Sequence, residues 1–315
     1  MKDRNPPSIL LGMAIGDALG MPFETCKPDD PRLLAWRGEY AGSDHHKLTA
    51  GQFTDDTQMA VALTTSIILA SGYSGDRAAA AYMDWYRRSP RGIGGTIKRA
   101  MERLLAQEPH TRSGRYEAGE TWIGNGVSMR IAPLGALYAH TSPPSKLLMA
   151  VEEDAAITHN HPDAIYAASA VALAVAYATR ERRTGVLGTV LQTLASTPAR
   201  TRAPRLMQRL SELMLELTRG TAPAVLFDAD DAIGISAMAL YIADATGSYE
   251  DAVTTAIRMG GDTDTRAAIV GAIAGAAYGL EAIPEPWFQG VEEREQLMLL
   301  DAALATHATM VGGPR

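Results

Sequence analysis

Glycine recurs at every fourth position in two distant apolar stretches, as Gly12, Gly16 and Gly20 near the start and as Gly271, Gly275 and Gly279 near the end. Each glycine inside a helix costs ~1 kcal/mol relative to alanine. A spacing of four nevertheless places all three on one helical face, where the missing side chains let another backbone come close. The total of 29 glycines explains their number but not this spacing. The pattern predicts two helices lying deep in a bundle, beside the acidic clusters described below.

The other apolar segments also repeat at the helical period and are rich in Ala, Leu, Met and Ile, whereas alternating strands and Asn-Gly hairpins are missing. The fold class is therefore all-α. Helices are expected over 8–20, 55–71, 76–88, 94–106, 127–139, 146–156, 162–179, 184–196, 203–217, 229–245, 249–258, 264–279 and 290–308. Loops carry the Pro, Gly and charge, at 27–49, 107–119 and 197–205, and none is long or polar enough to act as a linker. One compact multi-helix domain over 1–315 is expected.

The chain of 315 residues, 46% hydrophobic and 21% charged, is long enough to bury a large core. Its net charge of −7 argues against a nucleic-acid backbone or an anionic membrane as an electrostatic partner. An anionic small ligand would need local help from metal or helix ends. The single cysteine, Cys26, excludes an internal disulfide, reads as a buried thiol and fits a reducing, cytoplasmic compartment. The N-terminus, Met-Lys-Asp-Arg-Asn-Pro-Pro, does not look like a signal peptide. The longest uncharged windows, between Asp56 and Asp76 and between Asp163 and Arg180, read as core helices rather than membrane spans.

Two acidic clusters each open a long apolar helix: Thr54-Asp55-Asp56-Thr57, and Gly260-Gly261-Asp262-Thr263-Asp264-Thr265. Thr and Asp at a helix start are also what capping requires. One cap needs one residue, and the surplus carboxylates are costly unless a cation or a basic group lies close. Arg266 is the basic residue next to either cluster. Oxygen ligands of this kind suit Mg²⁺, Mn²⁺ or Ca²⁺ better than zinc. Spacing alone leaves metal binding and plain capping both open.

Gly124-Asn125-Gly126-Val127-Ser128-Met129-Arg130 leads into an apolar run, so its backbone N–H groups, with Asn125 and Ser128, could hold an anion; an ordinary turn has the same sequence. Thr158-His159-Asn160-His161-Pro162 precedes another helix, and its histidines are expected to bond a ligand or the turn itself. His45 and His46, in a charged loop, are expected to be solvated. The chain has no Gly-x-Ser-x-Gly elbow, no Walker phosphate loop and no dinucleotide fingerprint after a strand.

Taken together, Gly16-Asp17-Ala18-Leu19-Gly20 with Glu24, Phe53-Thr54-Asp55-Asp56-Thr57, Gly124-Asn125-Gly126 with Met129-Arg130, Thr158-His159-Asn160-His161-Pro162 and Gly260-Gly261-Asp262-Thr263-Asp264-Thr265 strongly resemble the ADP-ribosylglycohydrolase family. The match runs in order from about Ile9 to Leu280. The resemblance implies an all-α domain with two divalent cations, Mg²⁺ or Mn²⁺, in a cleft that binds ADP-ribose. By position, Thr54, Asp55, Asp56, Asp262, Asp264 and Thr265 would hold the metals. Glu24, Asp55, Asp56 and Asp264 would carry catalysis, with Glu24 ligating a metal or activating water. Gly124, Asn125, Gly126, Ser128, Met129 and His159 would bind substrate, the glycine loop holding the diphosphate.

The activity so implied is hydrolysis of the bond between ADP-ribose and a modified acceptor, foremost a protein arginine, with free ADP-ribose as product and a cognate ADP-ribosyltransferase as a functional partner. Nucleic acid would enter only as a modified substrate. Release from serine, from bases or from small esters are the alternatives within the class. Outside it stand a non-catalytic, crystallin-like relative and a protein that only binds ADP-ribose. One position departs from the pattern: in Pro90-Arg91-Gly92-Ile93-Gly94-Gly95-Thr96, Gly92 stands where one branch of the family has an aspartate. Either a carboxylate near the acceptor is missing, or Gly92 is a turn residue facing solvent.

Overall fold

The computed structural model describes residues 6–88, 90–223 and 229–312, and shows no β-strand among them. The first five residues of the expected non-signal N-terminus, and the two ends of the expected 1–315 domain, lie outside the described residues. In chain order the helices begin with α1 (Ile9–Gly20), α2 (Pro31–Ala35), α3 (Asp55–Ala70), α4 (Gly75–Arg88), α5 (Gly95–Leu105) and α6 (His110–Ser113). They continue through α7 (Ala132–Leu137), α8 (Ser145–Thr158), α9 (Pro162–Glu181), α10 (Leu187–Ala195), α11 (Ala199–Arg202) and α12 (Pro204–Arg219). The last are α13 (Ala232–Ala245), α14 (Tyr249–Arg258), α15 (Thr263–Tyr278), α16 (Glu285–Gly290) and α17 (Arg294–Gly312).

The two glycine-bearing helices pack against each other. α1 lies along α15, and α3, α7, α9, α13, α14 and α17 surround the pair. A Cβ on Gly16 would sit 2.0 Å from the Ala267 carbonyl oxygen, one on Gly12 would sit 2.5 Å from that of Gly271, and one on Gly271 would sit 2.2 Å from that of Gly12. Only backbone against backbone fits at such distances. Gly279 departs from the expected row: it lies just past the end of α15 at φ 77°, a conformation that stops a helix and favours glycine.

Aspartates from distant segments cap the central helices. Ser8 makes no side-chain cap for α1; instead Asp301 of α17 accepts from Leu10 N at 2.9 Å and Leu11 N at 3.3 Å. Asp244 of α13 likewise accepts from the N–H groups of Gly185, Val186 and Leu187 at the start of α10. These caps bind the ends of helices to the core that runs from Ile9 to Leu304.

The expected helix over 127–139 is broken into a 3₁₀ turn, Ser128–Arg130, and α7. Pro133 explains the break, since proline is tolerated in the first turn of a helix but not further in. The helix α9 is long and apolar enough to cross a membrane by length and composition, yet 83% of its most apolar stretch is buried inside the protein, as expected for that window. It is a core helix.

Candidate active site

Asp17, at the buried end of α1, reaches across to the start of α3. Its carboxylate accepts from Thr54 N (3.0 and 3.1 Å), Thr54 Oγ1 (3.0 Å), Thr57 N (3.1 Å) and Thr57 Oγ1 (2.6 Å). Burial raises the Asp17 pKa to about 6 despite these bonds. Capping of α3 therefore falls mainly on Asp17 and Thr54. The carboxylates of Asp55 and Asp56 are left for other work.

The second cluster is brought up by a short backbone exchange: Thr25 N donates to Gly261 O at 2.8 Å and Gly261 N to Cys26 O at 2.7 Å. This lays Glu24 beside the start of α15, so that one oxygen each from Glu24, Asp262 and Asp264 falls within 4.8 Å of the others. Asn125 Nδ2 donates to Asp262 Oδ2 at 2.6 Å, which ties the glycine loop to the acidic cluster. Cys26 is a buried free thiol.

Glu24, Asp55, Asp56, Asp262 and Asp264 thus converge, with Asp17 close behind them and little positive charge among them. Burial first, then Asp17, Glu24 and Asp262, pushes the Asp55 pKa well above the usual range. Burial, then Asp17, Asp55 and Asp262, does the same for Asp56, and burial, then Asp262, Glu24 and Asp56, for Asp264. Asp56 Oδ1 is buried without a hydrogen-bond partner. A buried carboxylate oxygen with no donor, among carboxylates that repel each other, fits an oxygen-liganded divalent cation. Arg266 turns its guanidinium toward Gly260 O (2.6 Å) and Asp230 (2.8 Å).

Above the acids opens a cavity of about 1030 Å³. Of the sequence-predicted residues, Glu24, Asp55, Asp56, Asp262, Asp264, Thr265, Gly124, Asn125, Gly126, Met129 and His159 line it. Thr54 lies behind, bonded to Asp17 and 3.1 Å from Asp56 Oδ2. Ser128 is buried below the loop and bonded to Ser236 Oγ at 2.8 Å. His159 is buried, and its pKa is lowered to about 3 by burial, with Arg130 and Arg99 adding to the effect. It is a neutral imidazole. His161 instead accepts from Asp163 N and caps α9.

His46 departs from expectation. His45 is exposed, but the His46 side chain is only 7% exposed, is hydrogen-bonded through Nε2 to Glu24 and lies 3.9 Å from Asp264. Nothing local in the sequence separates the two histidines; the loop's closure over the site does. Gly92 also lines the cavity. At φ +72°, its missing Cβ would lie 3.1 Å from His46 Nδ1 and 3.2 Å from Asp55 Oδ1. Gln58 of α3 fixes this loop by accepting from Arg91 N at 3.1 Å, while Arg91 pairs with Glu292. Asp230, a further carboxylate on the cavity wall, was not singled out by any motif.

A family model described as ADP-ribosylglycohydrolase matches residues 8–312. The chain is 28% identical over 299 residues to the ADP-ribosyl-[dinitrogen reductase] glycohydrolase of Rhodospirillum rubrum, covering 94% of each chain. It is 26% identical to the ADP-ribosylarginine hydrolase Tri1 of Pseudomonas putida (strain GB-1), over 96% of this chain and 78% of that one. A solved structure titled ADP-ribosylglycohydrolase-related protein complex superposes with a TM-score of 0.76 at 29% identity, covering 96% of this chain and 97% of the other.

Proposed function

Because the chain belongs to the ADP-ribosylglycohydrolase family, we propose that it hydrolyses the glycosidic bond between ADP-ribose and a modified protein side chain, foremost arginine. The observation that carries this reading is the unpartnered Asp56 oxygen among the converging carboxylates, on the floor of a cavity walled by the Gly124–Gly126 loop and His159. Similarity to an ADP-ribosylarginine hydrolase supports the choice of linkage.

Asp55, Asp56, Asp262, Asp264 and Thr265 would hold two divalent cations, Mg²⁺ or Mn²⁺, with Thr54 behind them fixing Asp56 through its hydroxyl, and the bound cations would supply charge stabilisation and activation of water. Asn125 keeps Asp262 in place through its amide. Glu24 has one oxygen bonded to His46 and keeps the other for the proton of the water that attacks C1″ of the ribose; as the C1″–N bond breaks, that proton passes on to the departing guanidine nitrogen. The Gly124–Gly126 backbone and His159 hold the diphosphate, Met129 lies against them, and Ser128 supports the loop from beneath through Ser236. The test presents ADP-ribosyl-arginine, ADP-ribosyl-serine and ADP-ribosylated DNA in parallel with Mg²⁺ or Mn²⁺ and follows free ADP-ribose. Binding of ADP-ribose without release from any substrate would leave a binder rather than an enzyme.

Gly126→Val tests the loop. A Cβ there would lie 2.6 Å from His159 Cε1 and 2.9 Å from Ile97 Cδ1, so the imidazole must move. ADP-ribose affinity is expected to fall at least tenfold, about 1.4 kcal/mol, with cation binding little changed. Calorimetry that shows both falling together, or neither, would place the diphosphate elsewhere.

Gly92→Asp tests acceptor recognition. The wild type is expected to cleave ADP-ribosyl-arginine and to turn over at least one other linkage, because an open mouth discriminates weakly among leaving groups. The new side chain must displace His46 and adopt a left-handed backbone, costing ~1–2 kcal/mol of stability. The ratio of rates among linkages should change. Superimposable linkage profiles would remove Gly92 from acceptor recognition.

A further inference from the structure

Behind His159, on the side away from the cavity, lies a buried polar network. The Arg130 guanidinium is fully buried, as are Asp154, Tyr82 and Thr158. Its Nε and Nη2 donate to Asp154 Oδ1 at 3.0 and 2.7 Å, and Tyr82 OH donates to Asp154 Oδ2 at 2.9 Å. Its Nη1 donates in two directions, to Gly126 O at 2.7 Å and to Thr158 Oγ1 at 2.8 Å. Thr158 Oγ1 in turn lies 2.9 Å from His159 Nδ1.

The hydrogen-bond count of this chain fixes a direction. Arginine can only donate, so the Thr158 hydroxyl is an acceptor toward Arg130. If His159 Nδ1 also donated to it, the hydroxyl proton would be left in a dry interior with both of its neighbours donating at it. A buried polar hydrogen without an acceptor is disfavoured, so the hydroxyl donates to Nδ1. A neutral imidazole whose Nδ1 accepts carries its proton on Nε2. That nitrogen faces the glycine loop: a Cβ on Gly124 would lie 3.3 Å from it, and one on Gly126 3.1 Å.

We propose that Arg130 and Thr158 are positioning residues that lock His159 in the Nε2–H tautomer, so that it presents a neutral donor to a phosphoryl oxygen of a diphosphate ligand in the cavity. The identity of the ligand rests on the proposed function; the tautomer lock does not. In the opposite tautomer, a lone pair would face the oxygen lone pairs of the diphosphate. Because the same guanidinium holds the Gly126 carbonyl, one buried group sets both the loop and the ring beside it.

The test is ¹⁵N NMR of histidine-labelled full-length protein, with ADP-ribose as the probe ligand. The wild type should show His159 with Nδ1 bare and Nε2 protonated, and an Nδ1–H signal would overturn the lock outright. Thr158→Val removes the hydroxyl at nearly constant shape, so the ring should shift toward Nδ1–H and ADP-ribose affinity should drop about tenfold, while Thr158→Ser restores both. A Thr158→Val protein with the wild-type thermal melt and an unchanged tautomer would also overturn the lock. Should Thr158→Val fail to fold, the wild-type and Thr158→Ser spectra decide alone. The Nε2–H form in a wild type that binds no ADP-ribose would support the lock and overturn the ligand.

Discussion

Asp56→Asn is expected to lower turnover by about three orders of magnitude or more while leaving the helical content intact. Asp56 sits in the first turn of α3 with one oxygen near Thr54 Oγ1 and the other buried without a partner. The cap of α3 does not depend on its carboxylate, because Asp17 accepts from Thr54 N and Thr57 N, and Thr54 Oγ1 accepts from Asp56 N. The substitution removes a charge from the floor of the cavity and no contact on which the fold rests. Asp262→Asn should behave alike, and exhaustive chelation should abolish turnover in the wild type. Full activity after chelation would sink the two-cation proposal.

The same electrostatics give a stability signature with a definite sign. In the chelated protein, Asp55, Asp56 and Asp264 all have pKa values raised well above the ordinary 3.8. The folded state then holds more protons than the unfolded chain at pH values above that ordinary range. Stability is accordingly greatest below it and is lost as pH rises through the raised values. Asp56→Asn should therefore melt at or above the chelated wild type near neutral pH, and this advantage should shrink toward pH ~4. Excess Mg²⁺ or Mn²⁺ should reverse the order, stabilising the wild type by about 2.7 kcal/mol at a hundredfold excess over the dissociation constant. A chelated variant that melts well below the chelated wild type at neutral pH would mean that Asp56 holds the fold together rather than a cation.

The long helices were legible because amphipathic or fully buried periodicity survives over several turns, as in 55–71 against the observed Asp55–Ala70 and 249–258 against Tyr249–Arg258. Pieces such as Pro31–Ala35 and Glu285–Gly290 are about one turn long and carry no period to read. The acidic residues were visible as a surplus over capping, and the structure gathers Glu24, Asp55, Asp56, Asp262 and Asp264 at one cavity. His46 was not legible, because burial against Glu24 is made by loop closure and not by its neighbours in sequence. Asp17 was legible as part of a motif, but not its task, since its partner Thr57 is 40 residues away. Asp230 and the Arg130–Thr158–His159 chain share that reason: a contact's direction is a tertiary fact.

Gly16→Ala is expected to destabilise the protein by about 2 kcal/mol or more, although alanine is the better helix former by ~1 kcal/mol. The sign is decided by what the new methyl meets. It would lie 2.0 Å from the Ala267 carbonyl oxygen and 2.5 Å from its carbon, and a backbone carbonyl inside α15 cannot rotate away as a side chain would. The helices must part by about an ångström along a seam that Gly12, Gly20, Gly271 and Gly275 also close. That seam carries the site: the last turn of α1 bears Asp17, which holds the start of α3, and α15 begins beside Asp262 and contains Asp264. Parting the helices separates the two acidic clusters, and a displacement of that size is worth roughly a hundredfold in rate. Activity should thus fall even at temperatures where the variant remains folded. Gly247→Ala, at a position with nothing within 4 Å of the added methyl, should leave both melting and rate near wild type. If Gly16→Ala instead melts higher than the wild type, helix propensity has outweighed contact, and α1 and α15 do not approach as closely as their glycines require.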